Sequence, residues 1–273
     1  MASWTLTAMF SVVIPVYNHR KFVTEAVVSA LRSPLVTEIL IVDDGSSDAS
    51  IDQIRILQAL DTARVRDLSE REPKNYGAHC RLNQLVKEAR NDWVAVLNSD
   101  DVFVAGRFET IAARCRGSDV DFIWGHLLII DAQGSPIGMK RGLLEPEYLL
   151  PPGLAAAAWQ DEKLSDILAS QNCIATTSNM VFKRSLHQRI GGFVNLRYCH
   201  DWAFALWAGV VGKPLYLPHF LSAYRVHDNN TISDNRALSA PEVKVMFDRF
   251  RNRFPDFVLR RRFQEWLATN RYL

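Results

Sequence analysis

Three apolar, β-branched runs early in the chain each stop abruptly in a polar turn, and this repetition restricts the possible folds more than any other feature. FSVVI runs into Pro15, Val16, Tyr17 and Asn18; EILIV runs into DDGSSD; WVAVL runs into Asn98, Ser99, Asp100 and Asp101. Runs of this kind, closed by turn residues, read as strands buried on both faces. Between them, KFVTEAVVSALRS sets Phe22, Ala26, Val27, Ala30 and Leu31 at helical spacing. SIDQIRILQAL follows a set of cap residues, ARVRDLS suits a short strand, and GAHCRLNQLVKEAR suits a helix. The alternation predicts an α/β fold, a Rossmann-like and mostly parallel sheet with helices on both faces. Ligands bind such sheets at the carboxyl ends of the strands, and all three polar turns fall there.

The middle of the chain changes character. VDFIWGHLLIIDAQGSPIG reads as two strands around a D-A-Q-G turn, a small antiparallel addition. EPEYLLPPGLAAAAW has no clear period and suits a mobile connection. TTSNMVFKRSLHQRIGGF suggests a strand, a short helix and a glycine turn, and HDWAFALWAGVVG opens a further helix. From Glu242 onward the chain becomes a basic, aromatic, helix-rich tail.

Composition narrows the class. With 273 residues, 48% of them apolar, the chain can bury a substantial core. A formal charge of +2 argues against a nucleic-acid partner. Cys80, Cys115, Cys173 and Cys199 are widely spaced, form no C-x-x-C pair, and fit a reducing compartment. MASWTLTAMF lacks the marks of a signal peptide, and no run is long enough to span a membrane, so a soluble, cytoplasmic protein is expected.

The NSDD turn is open to two readings from its residues alone. It is either a strand-to-helix turn with an Asp cap, or a cation site that relieves two adjacent carboxylates. Asp43 and Asp44 pose the same choice, since an Asp before a Ser-Ser turn is a natural N-cap.

Taken in order, VVIPVYN, LIVDDGSSD, NYGAHCRLN, VLNSDD, IGGF, HDWAFAL and YRVHDNNTIS resemble the family 2 glycosyltransferases, from Phe10 to Ser233. These are inverting, nucleotide-sugar-dependent enzymes of the GT-A fold. The resemblance implies one domain over 1–240, with a nucleotide-binding half at about 10–105 and an acceptor and catalytic half at about 106–240. The tail at 241–273 follows it. It also implies that Pro15, Val16 and Tyr17 carry the nucleotide base, that Asn18 holds the loop, and that Asp44 accepts the base's N3 hydrogen. Asp43 is then structural. Asn98 and Ser99 would line the ribose, and Asn75, with Gly77, Arg81 and Asn83, would stand on the donor side. Asp100 matches the metal-gripping acid of the family's D-x-D motif, and His227 a histidine that completes the site for Mn2+ or Mg2+. Asp101 is left as a cap for a helix over VFVAGRFETIAAR, or as an acceptor behind the ligand.

Asp201 in HDW matches the catalytic base, although an N-cap for WAFALWAGVV is the alternative. Trp124, His126, Asn179 and Trp202 are candidates for the acceptor pocket or for plain core and capping. The chain departs from the family at Asn98, where Asp is usual, and at His200, where Glu is usual. Those two departures favour the rival reading, a catalytically silent nucleotide-sugar-binding module. A nucleotidyltransferase lacks support, because no basic glycine-rich loop follows the first strand.

The implied partners are a nucleotide diphosphate sugar, UDP ahead of dTDP or GDP, and a glycan or lipid-linked hydroxyl acceptor of bacterial-type surface polysaccharide assembly. The tail's arginines and aromatics can meet an anionic membrane at its inner face or pack on the domain. Pro255 interrupts a long amphipathic face and favours packing.

Overall fold

Alternation along β1 (Phe10–Val16) sets the layering: Val13 faces one core, while Val12, Ile14 and Val16 face another. In the computed structural model, which describes residues 8–72, 74–140, 164–169, 172–228, 230 and 236–255, every apolar β1 side chain is buried. That is the signature of a central strand covered on both sides. The chain continues through α1 (Val23–Leu31), β2 (Val36–Asp43), α2 (Ser50–Leu60), β3 (Val65–Asp67), α3 (Ala78–Glu88) and β4 (Trp93–Val96). Then come β5 (Val102–Phe103), α4 (Arg107–Cys115), β6 (Phe122–Ile130), β7 (Pro136–Lys140) and α5 (Leu164–Leu168). β8 (Val181–Lys183), α6 (Arg184–Ile190), α7 (His200–Val211), β9 (Pro214–Arg225) and α8 (Arg236–Arg253) complete the described elements.

One sheet runs β3-β2-β1-β4-β8-β6-β9-β5, with β7 on β6. Pairs β3/β2, β2/β1, β1/β4 and β6/β9 are parallel. β8 joins the two parallel parts antiparallel to β4 and β6. α1, α2 and α4 cover one face; α3, α6, α7 and α8 cover the other. The α/β class, the helices on both faces and the β6/β7 hairpin match expectation. Pro15 sits in β1 without breaking the β4 ladder, because that pairing ends at Val13 opposite Val96.

Two differences follow from packing. The helix expected over Val102–Arg114 is shorter. Val102 and Phe103 pair with Ala223 and Ser222 of β9 instead, and α4 opens only after Gly106. The last helix begins at Arg236 rather than Glu242, with Pro241 inside it. Val243, Met246, Phe247 and Phe250 are buried in the core, so the described part of the tail packs on the domain. The Pro-, Gly- and Ala-rich connection and the arginines and aromatics beyond Pro255 lie outside the described residues. Among the described residues, no helix is long and apolar enough to cross a membrane.

Candidate active site

The chain leaves β1 toward β2 on one side and returns to β4 on the other, which opens a crevice at their carboxyl ends. Asp100 follows β4 into that crevice and His227 follows β9. His227 Nε2 lies 3.2 Å from Asp100 Oδ2. A third group joins them. His19, directly after the PVYN turn, sets its Nε2 3.7 Å from the same oxygen. The three ligand atoms all lie within 4.8 Å of one another. No motif marked His19; the one local signal was an imidazole three residues past a strand that must end at this edge.

His19 is held tightly. Its ring Nδ1 is 2.8 Å from Ser99 Oγ, and its backbone N–H donates to Ser50 Oγ at 3.1 Å. Phe22 packs against both rings, with centroids 6.0 Å from His19 and 4.8 Å from His227. Burial pulls the His19 pKa down, with Asp100 opposing. Burial acts to raise the Asp100 pKa, but the hydrogen bond from His227 and the charges of both imidazoles outweigh it. Asp100 is therefore held below the usual carboxylate range.

Its neighbour goes the other way. Burial, and then the Asp100 charge, push Asp101 up to about 8. Asp101 caps no helix, a correction to that expectation, because β5 intervenes before α4. Its Oδ2 instead accepts from Ser178 Oγ at 2.6 Å, Thr176 Oγ1 at 3.2 Å and Asn98 Nδ2 at 3.4 Å. Its Oδ1 takes the Arg225 N–H at 2.9 Å. Arg225 Nε in turn donates to the Asp100 carbonyl at 2.8 Å. Asp101 is a buried acceptor behind Asp100.

This network also accounts for Asn98. Its amide donates to Asp101 and to Thr176 Oγ1, and its Oδ1 accepts from Thr177 Oγ1 at 2.6 Å. An Asp here would set a third carboxylate against two buried ones, which is costly. The Asn98 and Ser99 side chains, expected at the ribose, hydrogen-bond to protein groups instead.

The β2–α2 turn forms the neighbouring wall. Asp43 Oδ2 accepts from the N–H groups of Gly45 and Ser46, the structural role expected of it. Asn18, at φ +56°, accepts the Ser47 N–H and donates its own backbone N–H to Ser46 Oγ, tying the β1 turn to this one. Gly45 stands at φ +81°, and a Cβ there would come within 2.9 Å of the Asn75 nitrogen. That close approach brings the loop carrying Asn75 against the turn. Asp44 Oδ1 accepts from Tyr76 N–H and Arg81 Nε, and Oδ2 from Gly77 N–H. A carboxylate offers about four acceptor positions, so one remains on Oδ2. Tyr17 is 48% exposed and so has a free ring face beside the crevice. Pro15 is partly buried and Val16 buried at the end of β1. Asn83 is not on the donor side. It exchanges hydrogen bonds with the Phe193 backbone and abuts Gly192, where any Cβ would collide with it.

Asp201 lies in the first turn of α7, which opens one residue earlier at His200 with Cys199 in the cap position. It is therefore not the N-cap. Its Oδ1 accepts the Trp202 N–H at 2.6 Å, and its Oδ2 accepts from Asn172 Nδ2 at 3.1 Å. Burial raises its pKa, against the opposing influence of His200 and these donors. The turn ahead of α7 is braced from a distance. Glu242 on α8 accepts the N–H groups of Arg197 at 2.7 Å, Tyr198 at 2.7 Å and Cys199 at 3.1 Å. Such a carboxylate satisfies orphaned donors and suits the positive end of the helix. Burial raises the Tyr224 pKa, and the charges of Asp101, Asp100 and Asp201 raise it further.

The acceptor candidates divide. Asn179 is buried and exchanges hydrogen bonds with the Gly125 backbone, and Trp202 Nε1 donates to the Leu168 carbonyl. Trp124 is buried against Tyr216, whose hydroxyl reaches His126 Nδ1 at 2.8 Å. Asn179 and Trp202 are thus tied into the fold, while His126 keeps partial exposure.

The donor set at the β1/β4 crevice fits a divalent cation. One carboxylate kept ionised faces two imidazoles, and all three groups are ordinary metal ligands.

The profile of glycosyl transferase family 2 matches residues 11–191. An uncharacterized glycosyltransferase from Nostoc sp. is 29% identical over 245 residues, covering 86% of this chain and 70% of that protein. The Escherichia coli UDP-Glc:alpha-D-GlcNAc-diphosphoundecaprenol beta-1,3-glucosyltransferase WfgD is 27% identical over 124 residues. That match covers 45% of this chain and 47% of WfgD, less than half of each. Among solved structures, S. aureus TarS 1-349 with UDP-GlcNAc superposes at TM-score 0.65 and 16% identity, covering 89% of this chain and 67% of that one. The mannosyltransferase PcManGT from Pyrobaculum calidifontis, with GDP-Man and Mn2+, gives TM-score 0.63 and 16% identity over 98% of this chain and 70% of that one. At such identity the structural likeness is one of fold.

Proposed function

This chain belongs to glycosyl transferase family 2 and has the GT-A fold, and from that premise we propose that it is a metal-dependent, inverting enzyme. It moves a sugar from a nucleoside diphosphate, UDP ahead of dTDP or GDP, to a hydroxyl acceptor. One observation carries the reading: Asp100, kept ionised beside two imidazoles, and Asp201, a buried carboxylate of raised pKa, flank one short segment, since Asn172 bonds Asp201 and Thr176 bonds Asp101 next to Asp100. Paired groups pushed apart in this way are what divided chemical roles require.

In this reading Pro15, Val16 and Tyr17 carry the nucleotide base, and the open position on Asp44 Oδ2 accepts its N3–H. Asn75 borders the same pocket. Asn98 and Ser99 act behind the donor, the first holding Asp101 and the second orienting His19. Asp100 and His227 hold a divalent cation that, when bound, acts as a Lewis acid on the departing diphosphate. Asp201 takes the proton from the acceptor hydroxyl as its oxygen bonds to the anomeric carbon and the sugar–phosphate bond breaks. A raised pKa suits that task, because a stronger base still ionises near neutrality.

The acceptor is a glycan or a lipid-linked sugar of polysaccharide assembly. The lipid diphosphate named for the E. coli relative supports that class. A lipid-linked acceptor would bring the protein to the inner face of a membrane, with the 241–273 region as the contact.

Calorimetry with UDP, dTDP and GDP, each with and without manganese, tests the reading. Binding strengthened by metal is expected. If no nucleoside diphosphate binds under any condition, the proposal fails. Donor binding without metal-dependent sugar transfer or donor hydrolysis would leave a silent binding module.

A further inference from the structure

His19 is absent from the motifs that mark the donor site, yet its Nε2 faces the same gap as Asp100 and His227. We infer that His19 is a third metal ligand, and that two imidazoles and one carboxylate make this a transition-metal site that discriminates against magnesium before any nucleotide arrives. The inference rests on the donor-metal reading above and narrows it.

Geometry is the first support. Two ligands at about 2.1 Å from one ion are about 3.0 Å apart at a right angle and about 3.4 Å apart in a tetrahedron. The separations from Asp100 Oδ2 are 3.2 Å to His227 Nε2 and 3.7 Å to His19 Nε2. The second is too long for a hydrogen bond and close to the span of a shared ion.

The tautomer is the second support. Ser99 Oγ, 2.8 Å from His19 Nδ1, can take that nitrogen's proton. Nε2 is then bare, and a bare lone pair set 3.7 Å from a carboxylate oxygen is repulsive unless a cation lies between. A hydrogen bond from the distal ring nitrogen is also the usual way to orient a ligating histidine.

Rigidity is the third. Each ligand comes from a different segment, and each segment is fixed: His19 by Ser50 and Ser99, Asp100 by Arg225 on its carbonyl. For His227 the Asn230 side chain accepts its N–H. The three ligand atoms already lie within 4.8 Å of one another without a nucleotide.

The donor set then decides the ion. Magnesium prefers oxygen ligands and dehydrates reluctantly. Imidazole suits manganese less well than cobalt, nickel or zinc, in the general order of the divalent series. Two histidines and one carboxylate on one side of an ion leave positions open, and diphosphate oxygens have the chemistry to fill them.

The test uses the full chain, stripped with chelator, and metal ions alone. Manganese binding is read from loss of the free-ion electron paramagnetic signal, and cobalt binding from its visible absorption. The wild type is expected to bind both without nucleotide, cobalt more tightly, with magnesium about 100-fold weaker in competition. His19→Ala should weaken manganese and cobalt about 10- to 100-fold and narrow the gap to magnesium. His19→Gln, similar in length, guards against a packing defect, and matched metal-free melting curves establish that each variant folds. Manganese affinity unchanged in both variants, or magnesium competing on equal terms with the wild type, overturns the inference. Adding UDP separates the two ideas. A cage that behaves as described but whose manganese affinity UDP leaves unchanged would count against the donor reading and not against His19.

Discussion

Asp100 and Asp201 are both buried carboxylates, yet their surroundings move them in opposite directions. Around Asp100, two imidazoles and a hydrogen bond from His227 overcome burial and keep the charge. Around Asp201, the direct partners are a side-chain amide and a backbone N–H, and burial wins despite His200. Neutral donors solvate a carboxylate less well than cationic or readily protonated ones. The lesson is that burial alone does not fix the charge of a carboxylate; the partners decide which one stays ionised and which one is pushed toward holding a proton. The supports differ as well. The Asp100 corner is held by strands and turns of the central sheet, while the Asp201 corner hangs on one helix end whose preceding turn is held by a distant glutamate.

The largest effect should come from Asp201→Asn. An amide cannot take the hydroxyl proton, so sugar transfer should fall by about two to four orders of magnitude with donor and metal affinity nearly unchanged. The fold pays about 1–2 kcal/mol, because the new amide group faces Asn172 Nδ2, whose own oxygen is engaged by the Ile174 and Ala175 N–H groups. In the wild type, the acid limb of the pH–rate profile should lie above the roughly 3.9 of an ordinary Asp. Near-normal transfer by the variant would move the base elsewhere, with His200 the next candidate.

At the other corner, Asp100→Asn should weaken manganese binding by at least about 100-fold with a modest change in melting temperature. Asp101→Ala should show the reverse balance. It strands the Ser178 and Thr176 hydroxyls and the Arg225 N–H, at about 2–4 kcal/mol, while the ligand oxygen remains. Metal titration beside chemical denaturation of both variants separates ligand from support. If Asp101→Ala loses metal as fully as Asp100→Asn and melts like the wild type, that division is wrong.

Acid should loosen the base corner through a different group. Burial pushes His187, which bonds Asn83 beneath the Gly191–Gly192 turn, down to about 4. An unfolded His titrates near about 6.5, so between those values the unfolded chain binds the extra proton. The stability from this neutral ring is complete above about pH 6.5 and is lost as pH falls toward 4, by up to about 3 kcal/mol. Denaturation midpoints across that range should be flatter in His187→Gln. An equal slope in both proteins would remove His187 from the account.

The smallest effect concerns the cap. Glu242→Ala frees three consecutive N–H groups ahead of α7 and should lower transfer about tenfold, short of the hundredfold that a full misplacement brings. Donor and metal affinity should hold, and Glu242→Gln, which keeps one acceptor, should recover part of the loss. A drop confined to melting temperature would make Glu242 structural only.

Much of this was legible in the chain itself. Continuous β-branched runs ending in Asn and Asp mark central strands and their carboxyl ends, because burial on both faces leaves no room for polar alternation. The resemblance to the family 2 glycosyltransferases pointed to Asp44, Asp100, Asp201 and His227. What local pattern could not report is which residues meet. His19 reaches Asp100 only because β1 and β4 are neighbours in the sheet, and His227 only because β9 ends at the same edge. The NSDD turn shows the limit most plainly: two identical side chains in succession, one kept ionised by imidazoles, one held near-neutral among hydroxyls. Sequence specifies their chemistry and their position on the strand end. Their charge depends on partners some 75 to 127 residues away, and long-range contacts of that kind exist only once the sheet is assembled.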